Sequence, residues 1–257
     1  MVVSPPATST GARVSRAVVW HELECGSYAA DLPLWLELAE RTGGPVLDVG
    51  AGTGRVARVL ARAGFAVTAL EHDAELLAAL RSHERELPIE CVLADARDFA
   101  LERRDFGLCI VPMHTLQLFG AREQRAAFLR CARAHMRARG LLAVAILPDA
   151  EPFDREGGQL PPAPETASVE GLRFISSPTR VAVGEDTIVI ERERTVQRGG
   201  RGARAILASE YERVELARLS AAQLRAEIAA AGFRPVPTRS VPATDEHVGS
   251  EVVIARG

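Results

Sequence analysis

Short apolar runs alternate, over the first half of the chain, with stretches in which apolar residues recur every third or fourth position. Residues 45–49, 66–70, 89–94, 105–111 and 141–147 are runs of the length and character of buried parallel strands. Between them, Val56, Val59, Leu60 and Ala63 fall at helical spacing up to Gly64, and Leu76, Leu77 and Leu80 do so behind the capping residue Asp73. Phe128, Leu129, Ala132 and Met136 mark a further helix, expected over about 121–139 and stopped by Gly140. An earlier helix carries Leu34, Leu38 and Ala39 on one face, with Asp31 as its expected cap and Pro33 in its first turn. Strand and helix in alternation predict an α/β fold, a Rossmann-like doubly wound parallel sheet.

The pattern changes after Leu147. Residues 148–167 are rich in Pro, Gly and acids and read as loop, and 172–175, 180–183, 187–196 and 205–216 are β-like segments divided by Gly-bearing turns. They predict an antiparallel insertion. Ser220 to Gln223 has the capping-box spacing, Leu224, Ile228 and Ala231 follow it, and 233–236 and 251–255 are expected closing strands. The expected division is a tail and lid helix over 1–44, a core over 45–147, the insertion over 148–217, and a last helix with a hairpin over 218–257.

Between the first strand and its helix, Asp48, Gly50, Ala51, Gly52, Gly54 and Arg55 form a tight turn in which glycines alternate with small residues. Glycine lets the backbone turn sharply and lie against a ligand, and a helix N-terminus opens beside it. A dinucleotide fold wants its third glycine where this chain has Arg55. The second strand ends in Glu71, about twenty residues on, where a carboxylate can accept hydrogen bonds from both ribose hydroxyls.

Asp48 followed by Gly-x-Gly-x-Gly, with Glu71 after the second strand, resembles motif I and the ribose-binding acid of class I S-adenosylmethionine (SAM) methyltransferases. The resemblance spans roughly residues 28–256 and implies a seven-stranded sheet with the β insertion after strand 5. It implies SAM as cofactor, giving S-adenosylhomocysteine, held by Asp48, Gly50, Ala51, Gly52, Gly54, Arg55 and Glu71. His72 takes the place of an apolar adenine contact; Asp95 is placed to accept the adenine amino proton and Ala96 to offer its N–H. An Asx turn is the alternative role for Asp95. Val111 and Met113, leaving the fourth strand, border the cofactor. Tyr28 and Trp20, on the lid, are candidates for its pocket or for plain packing.

Composition narrows the field. The chain has 257 residues, 47% hydrophobic and 25% charged, with a net charge of −3, which gives no general attraction to nucleic acid or anionic membrane. No run reaches the roughly 18 apolar residues of a membrane span, and the four cysteines are dispersed, so a cytoplasmic chain with core thiols is expected. There is no lysine, which excludes a Schiff base and a Walker-type loop, and no asparagine, which removes the usual Asn-Pro-Pro-Tyr motif of nucleic-acid methyltransferases. The arginine-rich run from Arg192 to Arg204, with Arg-Gly-Gly-Arg-Gly at 198–202 and alternating Glu and Arg before it, reads as a solvated hairpin turn, not an RNA site. No metal site is predicted.

Methyl transfer is an in-line displacement that requires alignment, exclusion of water and loss of the acceptor's proton. His114, in the loop after the fourth strand, is the candidate general base or substrate-orienting group, with His21 on the lid second. His83, His135 and His247 are expected at the surface. The sequence thus reads as a SAM-dependent methyltransferase acting on O or N of a small metabolite, resembling amino-sugar and natural-product enzymes, with a homodimer through the insertion as the expected assembly. A SAM- or S-adenosylhomocysteine-binding regulatory subunit without transfer, or a non-methylating SAM enzyme such as a cyclase, would share the glycine motif, Glu71 and Asp95.

Overall fold

The structure, a computed structural model, describes residues 14–83, 87–160, 162–198, 205–244 and 247–257. The expected tail over 1–13, most of the Arg-Gly-Gly-Arg-Gly turn and the His83 side chain lie outside the described residues.

A short helix α1 (Arg16–His21) runs into a π-helical turn (Glu22–Gly26), and α2 (Leu32–Thr42) leads to β1 (Val46–Val49). The chain then alternates through α3 (Arg55–Arg62), β2 (Val67–Glu71), α4 (Ala74–His83), β3 (Ile89–Leu93), β4 (Phe106–Val111), α5 (Arg122–His135) and β5 (Met136–Ile146). Strands β5, β4, β1, β2 and β3 lie side by side and parallel. Side chains on successive residues point to opposite faces of a strand. Accordingly Val46, Leu108 and Ile110 join the core under α2 and α3, while Leu47, Cys109 and Val111 join the one under α5 and α6 (Ala221–Ala230). Each fully buried Leu or Ile there stabilises the sheet by about 1.5–3 kcal/mol.

The sheet is closed by β13 (Ser250–Arg256), antiparallel to β5, which β11 (Arg234–Pro235) and β12 (Arg239–Val241) both flank. The main path therefore has seven strands, with β12 an eighth beside β13. The capping box at Ser220 and Gln223 is present, and Asp73 accepts from the amides of Glu75 and Leu76.

The insertion is a second, five-stranded sheet: β6 (Phe153–Asp154), β7 (Glu165–Val169), β8 (Leu172–Val183), β9 (Thr187–Arg198) and β10 (Ala205–Ala217). Part of the expected loop is thus strand, and β8 runs unbroken through Pro178, where the register shifts to accommodate a residue without an N–H.

Two local expectations are corrected. Helix α5 ends at His135, not near Arg139, and β5 begins at the next residue. Gly140 stops no helix; it lies in β5, where a Cβ would come within 2.9 Å of the Phe106 carbonyl oxygen. Asp31 does not cap α2 through its side chain, because its carboxylate is buried and engaged elsewhere.

Candidate functional site

The glycine turn lies at the carboxyl end of β1, where open α/β sheets bind ligands. Gly50, Gly52 and Gly54 all have left-handed φ, 69°, 56° and 89°. The space their missing Cβ atoms would fill is taken by Thr115, His21 and Leu80 respectively, so loop, lid and α4 pack directly on the turn. Glu71 braces it from β2: Oε2 accepts from the Gly52 amide at 2.8 Å, and Oε1 accepts from the amides of His72 and Asp73. The His72 ring sits 2.9 Å from Oε1 but is itself exposed.

Asp48 is 1% exposed and neither carboxylate oxygen has a partner among the described residues. Burial pushes its carboxyl up to about 7, against the pull of Arg55. An orphaned buried acid beneath a Cβ-free turn, beside a braced carboxylate, suits a ligand that carries a cationic amine and vicinal hydroxyls.

Arg55 is engaged by the chain itself. Its guanidinium is bound by both oxygens of Asp31 and by the Tyr28 carbonyl, and it lies over the Tyr28 ring. Trp35 donates its indole N–H to the same Asp31. Arg55 therefore ties the start of α3 to the chain entering α2. Asp95 is exposed and held by Arg97 through both side chain and amide; that guanidinium keeps its carboxyl low, at about 2. The Arg97 amide contact is the Asx turn. Ala96 and Val111 are buried in the core under α5.

Beyond β4 the backbone takes two consecutive left-handed residues, Met113 and His114, with φ of 50° and 64°. Non-glycine residues there are strained, and such strain clusters at functional sites. The turn brings His114 into a cavity of about 1400 Å³ bounded by the lid, the insertion sheet and the last hairpin. Tyr28, Met113, His114, His247 and Ser250 line it; Gly50, Gly52, Glu71 and Asp95 do not. His114 Nε2 is 3.2 Å from Ser250 Oγ, and burial lowers its pKa to about 4, so the ring is neutral at neutral pH. His21 stands apart, against the glycine turn, with Nδ1 3.2 Å from Thr53 Oγ1; burial lowers it too, against the pull of Glu22, Glu71 and Glu24.

Several residues of the site were not anticipated. Gln117, fully buried, donates to the carbonyls of Leu147 and Ala217 and accepts from the Leu147 amide, which fixes the loop after β4 to both ends of the insertion. Glu24 is bound bidentately by Arg194 and accepts from Ser176, so the lid is fastened to the insertion. Arg192 and Arg194 are thus part of a half-buried network and not a solvated face. Trp20 packs edge-on against Phe174 in that contact. His247, expected at the surface, is half-buried, with its ring 4.9 Å from that of Tyr28. His135 is buried, bonded to the Leu101 amide and to Cys131 O. Among the described residues no group of three acidic, His or Cys side chains is placed to hold a metal ion. None of the helices there is long and apolar enough to cross a membrane.

Residues 46–140 match the family model for the methyltransferase domain. An rRNA adenine N-6-methyltransferase from Corynebacterium diphtheriae is 33% identical over 66 residues, 26% of this chain; the match spans about a quarter, 26%, of that protein's length. Among solved structures, an amino pentose methyltransferase from Micromonospora echinaspora superposes with a TM-score of 0.68 at 18% identity, over 93% of this chain and 96% of that one. A sugar N-methyltransferase from Streptoalloteichus gives 0.67 at 20% identity, over 100% and 99%.

Proposed function

We propose, for a chain that carries a methyltransferase domain over 46–140 within a class I methyltransferase fold, that it binds SAM and methylates an N or O of a small metabolite. The observation that carries this reading is the meeting of the 1400 Å³ cavity with the carboxyl end of β4 at Met113 and His114, just before Thr115, which packs on Gly50 of the glycine turn. A volume of that size, walled by lid and insertion, suits a compact acceptor and not a duplex. The likeness to sugar and amino pentose methyltransferases points the same way.

SAM supplies an electrophilic methyl group on a sulfonium. In this reading Glu71 would accept from the ribose hydroxyls, Asp48 would balance the charge of the amino group, and Asp95 with the Ala96 amide would hold the adenine. The lid, fastened by Glu24 to Arg194, excludes water. His114, neutral through burial, accepts a hydrogen bond from the acceptor N–H or O–H, so that a lone pair faces the methyl carbon. With a pKa of about 4 it orients the acceptor better than it stores a proton. A homodimer through the insertion, paired along β10, would cover Ile206, Leu207 and Tyr211, which are exposed, and light scattering tests it.

Calorimetric titration with SAM, S-adenosylhomocysteine and NADH, followed by an acceptor screen scored by S-adenosylhomocysteine release, tests the proposal. Binding of the two adenosyl ligands without NADH, and turnover on an aminated or hydroxylated metabolite, is the expected result. Binding without turnover on any acceptor would favour a subunit that holds SAM without transferring its methyl.

A further inference from the structure

His114 enters the cavity on a strained two-residue left-handed turn, which sets where its ring is but not which ring nitrogen carries the proton. A neutral imidazole has one donor and one acceptor nitrogen, and the partner of one decides the role of the other. Among the described residues, the side-chain partner of His114 comes from the far end of the fold. Ser250, at the first position of β13, brings Oγ to 3.2 Å from Nε2 and is itself 8% exposed. Its place is fixed on both sides: Ser250 pairs with Val241 of β12, and the next residue, Glu251, pairs with Ile146 of β5. At Gly249, just before it, a Cβ would approach the Val241 carbonyl oxygen to 2.8 Å, so the chain entering β13 lies tight against β12.

We propose that Ser250 is a positioning residue, whose hydroxyl accepts the Nε2–H of His114 and so leaves Nδ1 bare toward the cavity as the acceptor for the substrate N–H or O–H. The consequence for turnover rests on the methyl-transfer reading; the contact itself does not. The hydroxyl proton of Ser250 is then free for Tyr28, whose buried oxygen has no hydrogen-bond partner among the described residues and whose ionisation Ser250 favours against burial. Tyr28 in turn lies against His247, and all four residues line the same cavity.

The test is nitrogen NMR on the full chain labelled with 15N-histidine, at pH 7 and without cofactor or substrate, with His114→Gln identifying the signal. Two-bond couplings report the tautomer. His114 is expected with Nε2 protonated by about tenfold over the alternative, the preference one hydrogen bond supplies. In Ser250→Ala that ratio should fall to that of a free imidazole, and Ser250→Thr, which keeps the hydroxyl, should restore it. A His114 signal protonated at Nδ1, or one unchanged in Ser250→Ala, overturns the inference. Because no ligand is present, this result is independent of the titration and screen that test methyl transfer.

Discussion

Arg55 and Asp31 form a bidentate pair, at 2.6 and 2.8 Å, with both side chains more than nine-tenths buried. Their partners join the glycine turn's helix to the chain below the lid, since Asp31 also holds Trp35 and Arg55 also holds the Tyr28 carbonyl. Removing one member leaves a buried charge without its counter-ion. Arg55→Ala should therefore destabilise the fold by about 3–5 kcal/mol in urea unfolding. The double variant Asp31→Leu with Arg55→Met should lose clearly less than the sum of the two single changes. Additive losses would mean that the pair is not coupled.

Glu71 serves the turn before any ligand arrives, by accepting from the Gly52, His72 and Asp73 amides. Glu71→Ala is expected to weaken SAM by about 1.5–3 kcal/mol in calorimetry, the worth of hydrogen bonds to a charged acceptor. Unchanged affinity would remove it from the ribose.

The pKa of His114 gives a stability prediction. Its folded value, about 4, lies below the ordinary value of 6.5, so the unfolded chain binds a proton first as pH falls. Stability from this site is complete above about pH 6.5, declines between there and pH 4, and levels below. His21 shifts in the same direction. From pH 7 to pH 5 the His114 share of the loss is about 2 kcal/mol. Denaturation curves of His114→Gln should lack it. A curve for the variant that falls as steeply as the wild type would place the ring in water.

Arg194→Ala should release the lid. The expected readout is amide hydrogen exchange over residues 16–26 that is faster by about tenfold or more, with α5 and β5 unaffected. Equal protection would show that apolar contact at Trp20 and Phe174 alone holds the lid down.

How much of this was legible in the sequence follows the range of the contacts. The strand, glycine turn and helix, the Asp73 cap and the Ser220 capping box depend on residues within a few positions of one another, and all are present. The boundary between α5 and β5 misled because Gly140 resembles a helix stop, and only its closeness to the Phe106 carbonyl explains it. Arg55 belongs to the glycine motif in sequence but to Asp31 in space. Glu24 and Arg194 are 170 positions apart, and His114 and Ser250 are 136 apart. No periodicity marks such pairs. The alternation of Glu with Arg along β9 looks the same whether the strand faces water or a lid.

Strand β13 also sets the order in which the molecule must assemble. Residues 187–198 and 205–217 fold back on each other as neighbours in the chain, a closure with a small entropic penalty. Strand β5, by contrast, waits for a partner more than a hundred residues downstream, and pairings of that span form slowly. The roof over the cavity is therefore expected to form while one edge of the central sheet is still open. The docking of Ser250 beside Val241 would then complete the sheet and the wall around His114 in a single late event.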